Sequence, residues 1–368
     1  MKSYSKKDLY KRQTTLSEIG QSGQEKLLRS KVLIIGCGGL GNAAAVYLAA
    51  SGVGALHLVD FDTVSVSNLH RQVFYTPSDV GQSKTEVLGR YIGSMAPHVQ
   101  LQLTPEEFTK ENAFELVKSV DYVLDCTDQL SIKYLINDAC VLNNKPLIYG
   151  SLYKFDGYVA SFNLLETNSS YSCNLRDAFP ELPKEQVPNC SEVGTMNTIV
   201  GIIGLMQANE LIKLATGVGE PLKNELLIYN SLNNSQFRMR LQKQFDNSTL
   251  ASIFEQSSYR DTSCEVQDPA LLISAKELKE KLSENSPENR LQLISVIEDP
   301  STVLPFKVQA KIPLSDLIEK DLHFSDRDEV VVVCNRGISS YEATKRIQHH
   351  FPGVNVKSLE GGITEYEC

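Results

Sequence analysis

Residues 31–41 read Lys-Val-Leu-Ile-Ile-Gly-Cys-Gly-Gly-Leu-Gly, a short continuous apolar run that breaks directly into G-x-G-x-x-G. A run of this length, β-branched and without polar alternation, has the pattern of a strand buried on both faces. The glycines that follow, Gly36, Gly38, Gly39 and Gly41, let the backbone turn sharply into a helix expected over residues 40–51. Free N–H groups at such a helix start attract phosphate. A tight turn with close helix packing satisfies the same motif, so a nucleotide is only a first reading.

The pattern repeats outward from this point. Residues 55–61 (ALHLVDF), 99–103, 121–125 and 146–150 read as further strands with helical patterns between them, and 157–164 and 226–229 as added strands of antiparallel sense. Repeated βαβ units give an α/β fold with a mostly parallel sheet covered on both faces. Residues 168–197 carry Pro180, Pro183 and Pro188 with little periodicity, and are expected to form a long surface crossover. Residues 246–268, rich in Ser, Asn, Gln and Asp, are the expected linker between a domain at 1–245 and a smaller α/β domain at 269–368. In the latter, 275–282 and 339–350 read as helices and 291–296 and 329–333 as strands.

A chain of 368 residues with 42% hydrophobic content is long enough to give each domain a core. The net charge of −9 argues against nucleic acid as the main partner, since such binders gather Lys and Arg on one face. The start, MKSYSKKDLYKRQ, lacks the apolar run of a signal peptide, and no stretch of about 18 apolar residues follows. A cytoplasmic protein without a membrane partner is expected. Eight cysteines scattered through a chain this large do not form the framework of a secreted disulfide scaffold, so most are expected to be reduced.

Asp60 ends the second strand, about where an acidic residue holds a ribose hydroxyl, and NAD is the default ligand of that arrangement. Four groups beyond the glycines point elsewhere: Asn68 and Arg71 in SNLHRQ, Lys84 in GQSK, and Asp128 in DCTDQ. Hydride transfer needs no cluster of cations near phosphates. Attack of a carboxylate on an α-phosphate does, because charge builds on the phosphoryl oxygens as pyrophosphate leaves. A carboxylate at the end of a sheet strand suits Mg²⁺. Taken singly, each cation also reads as a solvated surface charge.

GCGGLG, DFDTVSVSNLHRQ, VGQSK, DCTD and NCSEVGTMNTIVGIIG, in this order over roughly residues 5–243, together resemble the MoeB/ThiF/HesA family, bacterial relatives of ubiquitin-activating enzymes. The resemblance implies a Rossmann-like adenylation domain, a homodimer, MgATP as substrate, and a ubiquitin-like sulfur-carrier protein as partner. Carried over by motif, Asp60 holds the ribose; Asn68, Arg71 and Lys84 surround the triphosphate; Asp128 is the magnesium and catalytic carboxylate. Arg12, in YKRQ, reaches the ATP of the other subunit. Gln129 departs from the Asn that usually follows DCTD, which keeps the amide but changes its reach.

The same family usually carries two C-x-x-C pairs around a structural zinc. Here Cys173-Asn174-Leu175-Arg176 and Cys264-Glu265-Val266-Gln267 keep only the first cysteine of each, so no structural zinc is expected. Cys190, in PNCSEVG, matches the position of a cysteine used for thioester or persulfide chemistry, and also reads as a vestigial loop thiol.

Cys334 follows the strand EVVVV and begins CNRGISS ahead of a helix, where loop N–H groups stabilise a sulfur anion. With LEGGI at 359–363, this domain resembles a rhodanese. It departs in its front half: LISVI at 293–297 replaces the usual Asp-Val-Arg segment, and the Gly-His before Ile312-Pro313 is absent.

The leading expectation is adenylation of a MoaD-like or ThiS-like carrier, with the tail passing sulfur from a cysteine desulfurase or other donor to give a thiocarboxylate for molybdopterin or thiamine biosynthesis. An adenylating enzyme with an inactive tail, an NAD-dependent oxidoreductase and a nucleotide-sensing scaffold are the alternatives.

Overall fold

The apolar run that opens at Lys31 is buried as its composition requires. In the computed structural model, which describes residues 5–180, 194–259, 268–283, 291–297, 302–317, 322–324, 328–335 and 337–366, only the first residue of β1 (Lys31–Ile35) is exposed. Val32 and Ile34 enter one apolar cluster and Leu33 and Ile35 another, so both faces of the strand are covered. β1 pairs in parallel with β2 (Ala55–Val59) and β4 (Tyr122–Asp125), while β3 (Gln100–Thr104) and β5 (Leu147–Tyr153) extend the parallel part outward. β6 (Asp156–Phe162), β7 (Glu225–Asn230) and β8 (Ser235–Arg240) add antiparallel strands, giving the order β3-β2-β1-β4-β5-β6-β7-β8. The strand order turns back between β1 and β4. In open α/β sheets, ligands bind beyond the carboxyl ends of the strands at such a point.

Two short turns, α1 (Lys6–Leu9) and α2 (Lys11–Thr14), and α3 (Gly20–Arg29) precede the sheet; α4 (Gly39–Ala50), α5 (Lys84–Met95), α6 (Lys110–Lys118) and α7 (Leu130–Leu142) are the crossovers. α8 (Leu175–Ala178), α9 (Asn197–Thr216) and α10 (Asn247–Gln256) complete the helices described in this unit. α9 is long and apolar enough to cross a membrane by length and composition, but its buried half packs on α4, β5 and β6. A Cβ on Gly204 would lie 2.5 Å from the Leu40 carbonyl oxygen, so the backbones of α9 and α4 approach closely.

The chain divides into two compact units, residues 1–260 and 261–368. In the second, β9 (Leu272–Ile273), β10 (Leu291–Ser295), β11 (Ala310–Lys311), β12 (Glu329–Val333) and β13 (Asn355–Leu359) form a parallel sheet ordered β11-β10-β12-β13-β9. α11 (Ala275–Ser283), α12 (Ile338–His350) and α13 (Gly362–Tyr366) accompany it. β12 is its middle strand, with Val330 and Val332 in one apolar cluster and Val331 and Val333 in another.

Two expectations are corrected. Much of the expected linker at 246–268 belongs to the first unit: α10 packs on α7, and Leu250, Phe254 and Tyr259 are buried. Polar composition hid a helix whose few apolar residues all face inward. The crossover at 168–197 is not all surface, since Cys173, Leu175, Arg176 and Asp177 are buried. Hydrogen bonds hold this polar segment inside: Asn174 Oδ1 accepts from Arg176 N, and Asp177 Oδ1 accepts from Gln244 N and Phe245 N.

Candidate functional site

The turn after β1 can be built only with glycine at two positions. Gly36 has φ +91°, and a Cβ there would lie 2.7 Å from the Cys126 carbonyl oxygen; one on Gly41 would lie 1.8 Å from the Gly36 carbonyl oxygen. The loop therefore rests on the Cys126–Thr127 backbone beyond β4. Gly38 caps α4 and Gly39 begins it, and the missing side chain of Gly39 leaves room for Val200 of α9.

Asp60, at the end of β2, holds this loop to the sheet. Its Oδ2 accepts from Cys37 N (2.6 Å) and its Oδ1 from Asp62 N (2.8 Å). Burial pushes its carboxyl up, opposed by the nearby Lys84 ammonium and the two N–H bonds. Lys84, the first residue of α5, is buried, and its Nζ lies 2.7 Å from Asp62 Oδ2. Asn68 closes a short turn (Val66–Asn68), and its carbonyl oxygen accepts from Arg71 N and Gln72 N. The Arg71 guanidinium donates to Ser67 O (2.9 Å).

Tyr75 ties these pieces together, its hydroxyl lying 2.8 Å from Cys37 O and 3.2 Å from Lys84 O. Asp60, Lys84 and the 67–75 segment thus converge on the glycine loop. The sequence reading missed Tyr75 because an aromatic residue in an apolar-polar stretch reads as ordinary core.

Asp128 is exposed and makes no hydrogen bond or ion pair among the described residues. The turn that carries it is fixed from below. Asp125, fully buried, accepts from Thr127 N (3.0 Å) and Thr127 Oγ1 (2.7 Å) and pairs with Lys133 at 3.1 Å. Lys133 also donates to Gly150 O, and Gln207 Nε2 donates to Asp125 O at 2.7 Å. Removing either member of a buried pair strands the other charge, at a cost of about 3–5 kcal/mol. Lys133 and Asp125 were missed as positioning residues; a lone Lys inside the apolar helix LSIKYLIN was the available signal.

In the second unit, Cys334 lies directly beyond β12 and is 4% exposed, below the surface rather than on it. Its Sγ accepts from Gly337 N (3.1 Å) and lies 3.2 Å from Ser340 Oγ in the first turn of α12. Cys37, Cys126, Cys140 and Cys173 are pushed up by burial, Cys173 to about 11, so these thiols stay protonated at neutral pH. Cys190 and Cys264 lie outside the described residues.

A family model described as the ThiF family matches residues 10–250. The chain belongs to the ThiF family. It is 41% identical over 229 residues, 62% of this chain and 84% of that protein, to a sulfur carrier protein adenylyltransferase of Thermus thermophilus. To an adenylyltransferase and sulfurtransferase MOCS3 of Drosophila grimshawi it is 34% identical over 381 residues, 96% of this chain and 82% of that one. A crystal structure of E. coli MccB with ATP aligns with TM-score 0.55 and 21% identity, covering 64% of this chain and 72% of that chain, which shows the fold.

Within the ThiF unit, Arg12 is exposed on α2 and is not brought to its own chain's glycine loop. Its neighbour Gln13 donates to Ser51 O, at the far end of α4 from Gly39. A 12-residue helix separates those ends by about 18 Å.

At the half-lost C-x-x-C of Cys173, a buried ion pair occupies the second position. Arg176 stands where the second thiolate would be and donates to Asp138 at 2.7, 2.9 and 3.1 Å, while Tyr259 Oη donates to the same carboxylate at 2.6 Å. Burial alone would lower the Arg176 pKa, but the Asp138 bonds and charge outweigh it and raise it. Among the described residues no group of three or more His, Cys, Asp or Glu is placed to hold a metal ion.

Proposed function

We propose that this ThiF-family chain adenylates the C-terminal carboxylate of a ubiquitin-like sulfur-carrier protein with ATP, and that its second unit, a rhodanese-like domain, delivers sulfur to the activated carboxylate. The supporting observation is that one chain joins a glycine loop, a fixed Asp128 turn and a cysteine held at a helix start, and that its MOCS3-named relative aligns across both units.

The carrier carboxylate attacks the α-phosphorus, the bond to the β-phosphate oxygen breaks, and acyl-adenylate and pyrophosphate form. Asp60 keeps the loop N–H groups aimed outward, and its remaining lone pairs accept from the ribose. Lys84, Arg71 and Asn68 offset the charge that grows on the phosphoryl oxygens. The triphosphate competes with half-exposed Asp62 for the Lys84 ammonium. An exposed carboxylate with no protein partner fits Mg²⁺, which takes one or two carboxylates and completes its shell with phosphate oxygens and water; when bound, the ion neutralises triphosphate charge.

Arg12, remote from its own loop, serves the site of a second copy in a cytoplasmic homodimer. The Arg176–Asp138–Tyr259 cluster holds the crossover without zinc.

A persulfide on Cys334 then attacks the acyl carbon and AMP leaves. A second thiol, Cys190 in this reading, attacks the Cys334 sulfur of the acyl disulfide, forms a disulfide with it and releases the thiocarboxylate.

The test uses the full chain, the carrier and a desulfurase-derived persulfide. Cys334→Ala should leave carrier-dependent ATP–pyrophosphate exchange within twofold of the parent and abolish the thiocarboxylate seen by mass spectrometry. Inorganic sulfide should restore it. Undiminished donor-dependent product in that variant would leave an adenylating enzyme with an inactive tail, and exchange without the carrier would remove the carrier as substrate.

A further inference from the structure

Cys334 is not left to backbone amides alone. Among the described residues, the hydrogen-bond donors to its nearly buried sulfur are neutral. Two are in place: Gly337 N at 3.1 Å and Ser340 Oγ at 3.2 Å. Behind Ser340, the hydroxyl of Ser358 on β13 donates to Ser340 Oγ at 2.8 Å. Because Ser340 already accepts that proton, its own is available to the sulfur. Both serines are fully buried, so water does not compete for these bonds.

The arrangement is held by packing from outside the loop. A Cβ on Gly337, whose φ is +81°, would lie 2.9 Å from Gly361 N, and Ile363 N donates to Cys334 O. The loop therefore rests on the LEGGI turn that follows β13, the same strand that carries Ser358.

We propose that Ser358 and Ser340 form a buried hydroxyl relay that stabilises the Cys334 thiolate and the persulfide formed from it. Ser340, which touches the reacting sulfur, is the catalytic residue of the pair; Ser358 is a positioning residue that orients the Ser340 proton. In the loading step the Cys334 thiolate attacks the outer sulfur of a donor persulfide R–S–SH. The donor S–S bond breaks, R–S⁻ leaves, and Cys334 carries the outer sulfur as Cys–S–SH, so charge and atoms balance. Donation to a charged sulfur is stronger than to a neutral one, which favours the ionised form.

The proposal rests on Cys334 being the sulfur carrier of this chain, and its test is independent of sulfur transfer. Alkylation of Cys334 by iodoacetamide is followed against pH in the full chain, with the Cys334 peptide quantified by mass spectrometry. Ser340→Ala should move the midpoint up by about one pH unit, which means about tenfold slower alkylation below the midpoint. Ser358→Ala should move it by about half as much, and Ser358→Thr, which keeps the hydroxyl, should return it toward the parent. If Ser340→Ala fails to fold, shown by loss of the second unit's thermal transition, the Ser358 pair carries the test. Midpoints unmoved in every folded alanine variant overturn the relay even where Cys334→Ala abolishes thiocarboxylate. Persistent donor-dependent product in Cys334→Ala overturns the sulfur-transfer reading instead.

Discussion

β4 in the first unit and β12 in the second occupy equivalent places. Each is flanked by parallel strands on both sides, each ends near a residue proposed above for the chemistry, and a helix follows each. What lies beyond the two ends differs. After β4 the buried Asp125–Lys133 pair fixes a turn that presents Asp128 to solvent, whereas after β12 the Cys334 sulfur stays beneath the surface among N–H and O–H donors. Polyphosphate carries several charges and calls for ions in reach of water. A single sulfur anion, diffuse and weakly hydrated, is suited to neutral N–H and O–H dipoles.

The largest expected effect separates these two modes. Asp128→Ala should lower carrier-dependent ATP–pyrophosphate exchange by at least about a hundredfold, the scale of a lost electrostatic contact in a transition state. The same variant should melt as the parent does, because the side chain is exposed and unpartnered. Mixed with Arg12→Ala, it should recover part of the exchange through hybrid sites in verified heterodimers; none would count against Arg12 acting across subunits. Near-normal exchange in Asp128→Ala alone would return the site to the nucleotide-sensing alternative.

A second effect is on stability and confined to the first unit. Arg176→Ala removes a buried cation from three bonds to Asp138, so it should destabilise that unit by about 3–5 kcal/mol and leave the transition of the second unchanged. Differential scanning calorimetry of the full chain reads both. If the cluster stands in for a metal knot, the purified protein should hold well under one zinc per chain, and EDTA should not shift the first transition. A zinc ion in stoichiometric amount, released with loss of stability, would show that the residues outside the described set complete a site after all.

The strands, the glycine turn and the Cys334 loop were legible in the sequence because each rests on local pattern: apolar runs, φ-positive glycines, a thiol between strand and helix. β8 and β13 were not read, since Ser235–Arg240 is mostly exposed at a sheet edge and Asn355–Leu359 mixes polar with apolar residues, leaving no clean period. The charged residues proposed for the site were picked out by motif order along the chain. The buried contacts of the first unit were not legible, because Lys133 reaches Gly150, Tyr75 reaches Cys37 and Tyr259 meets Asp138 across 17, 38 and 121 positions. The replacement of a thiolate by Arg176 was visible as a lost cysteine, but its Asp138 partner was invisible until α7 and α8 were seen to touch.

The smallest expected effect compares helix starts in the two units. Asp246 caps α10, accepting from Thr249 N and Ser248 Oγ, and these bonds hold its carboxyl down at about 2. Glu277 and Ser274 form a reciprocal box at the start of α11, with Ser274 N donating to Glu277 Oε2 and Glu277 N to Ser274 Oγ, which also lowers the Glu277 pKa. Both carboxyls are depressed in the folded chain, so each contributes stability that is complete above its unfolded value, about 4, and is lost as pH falls through the folded one. Asp246→Asn and Glu277→Gln keep an acceptor but remove the charge that favours a helix N-terminus. At neutral pH each should lower the melting temperature of its own unit by a few degrees at most, and below about pH 2 the difference from the parent should vanish. Scans of both variants from pH 7 to about pH 1 check this: a difference that persists at the acid end would mean that shape, not charge, sets the cap, and a shift in the other unit would mean that the two do not melt independently.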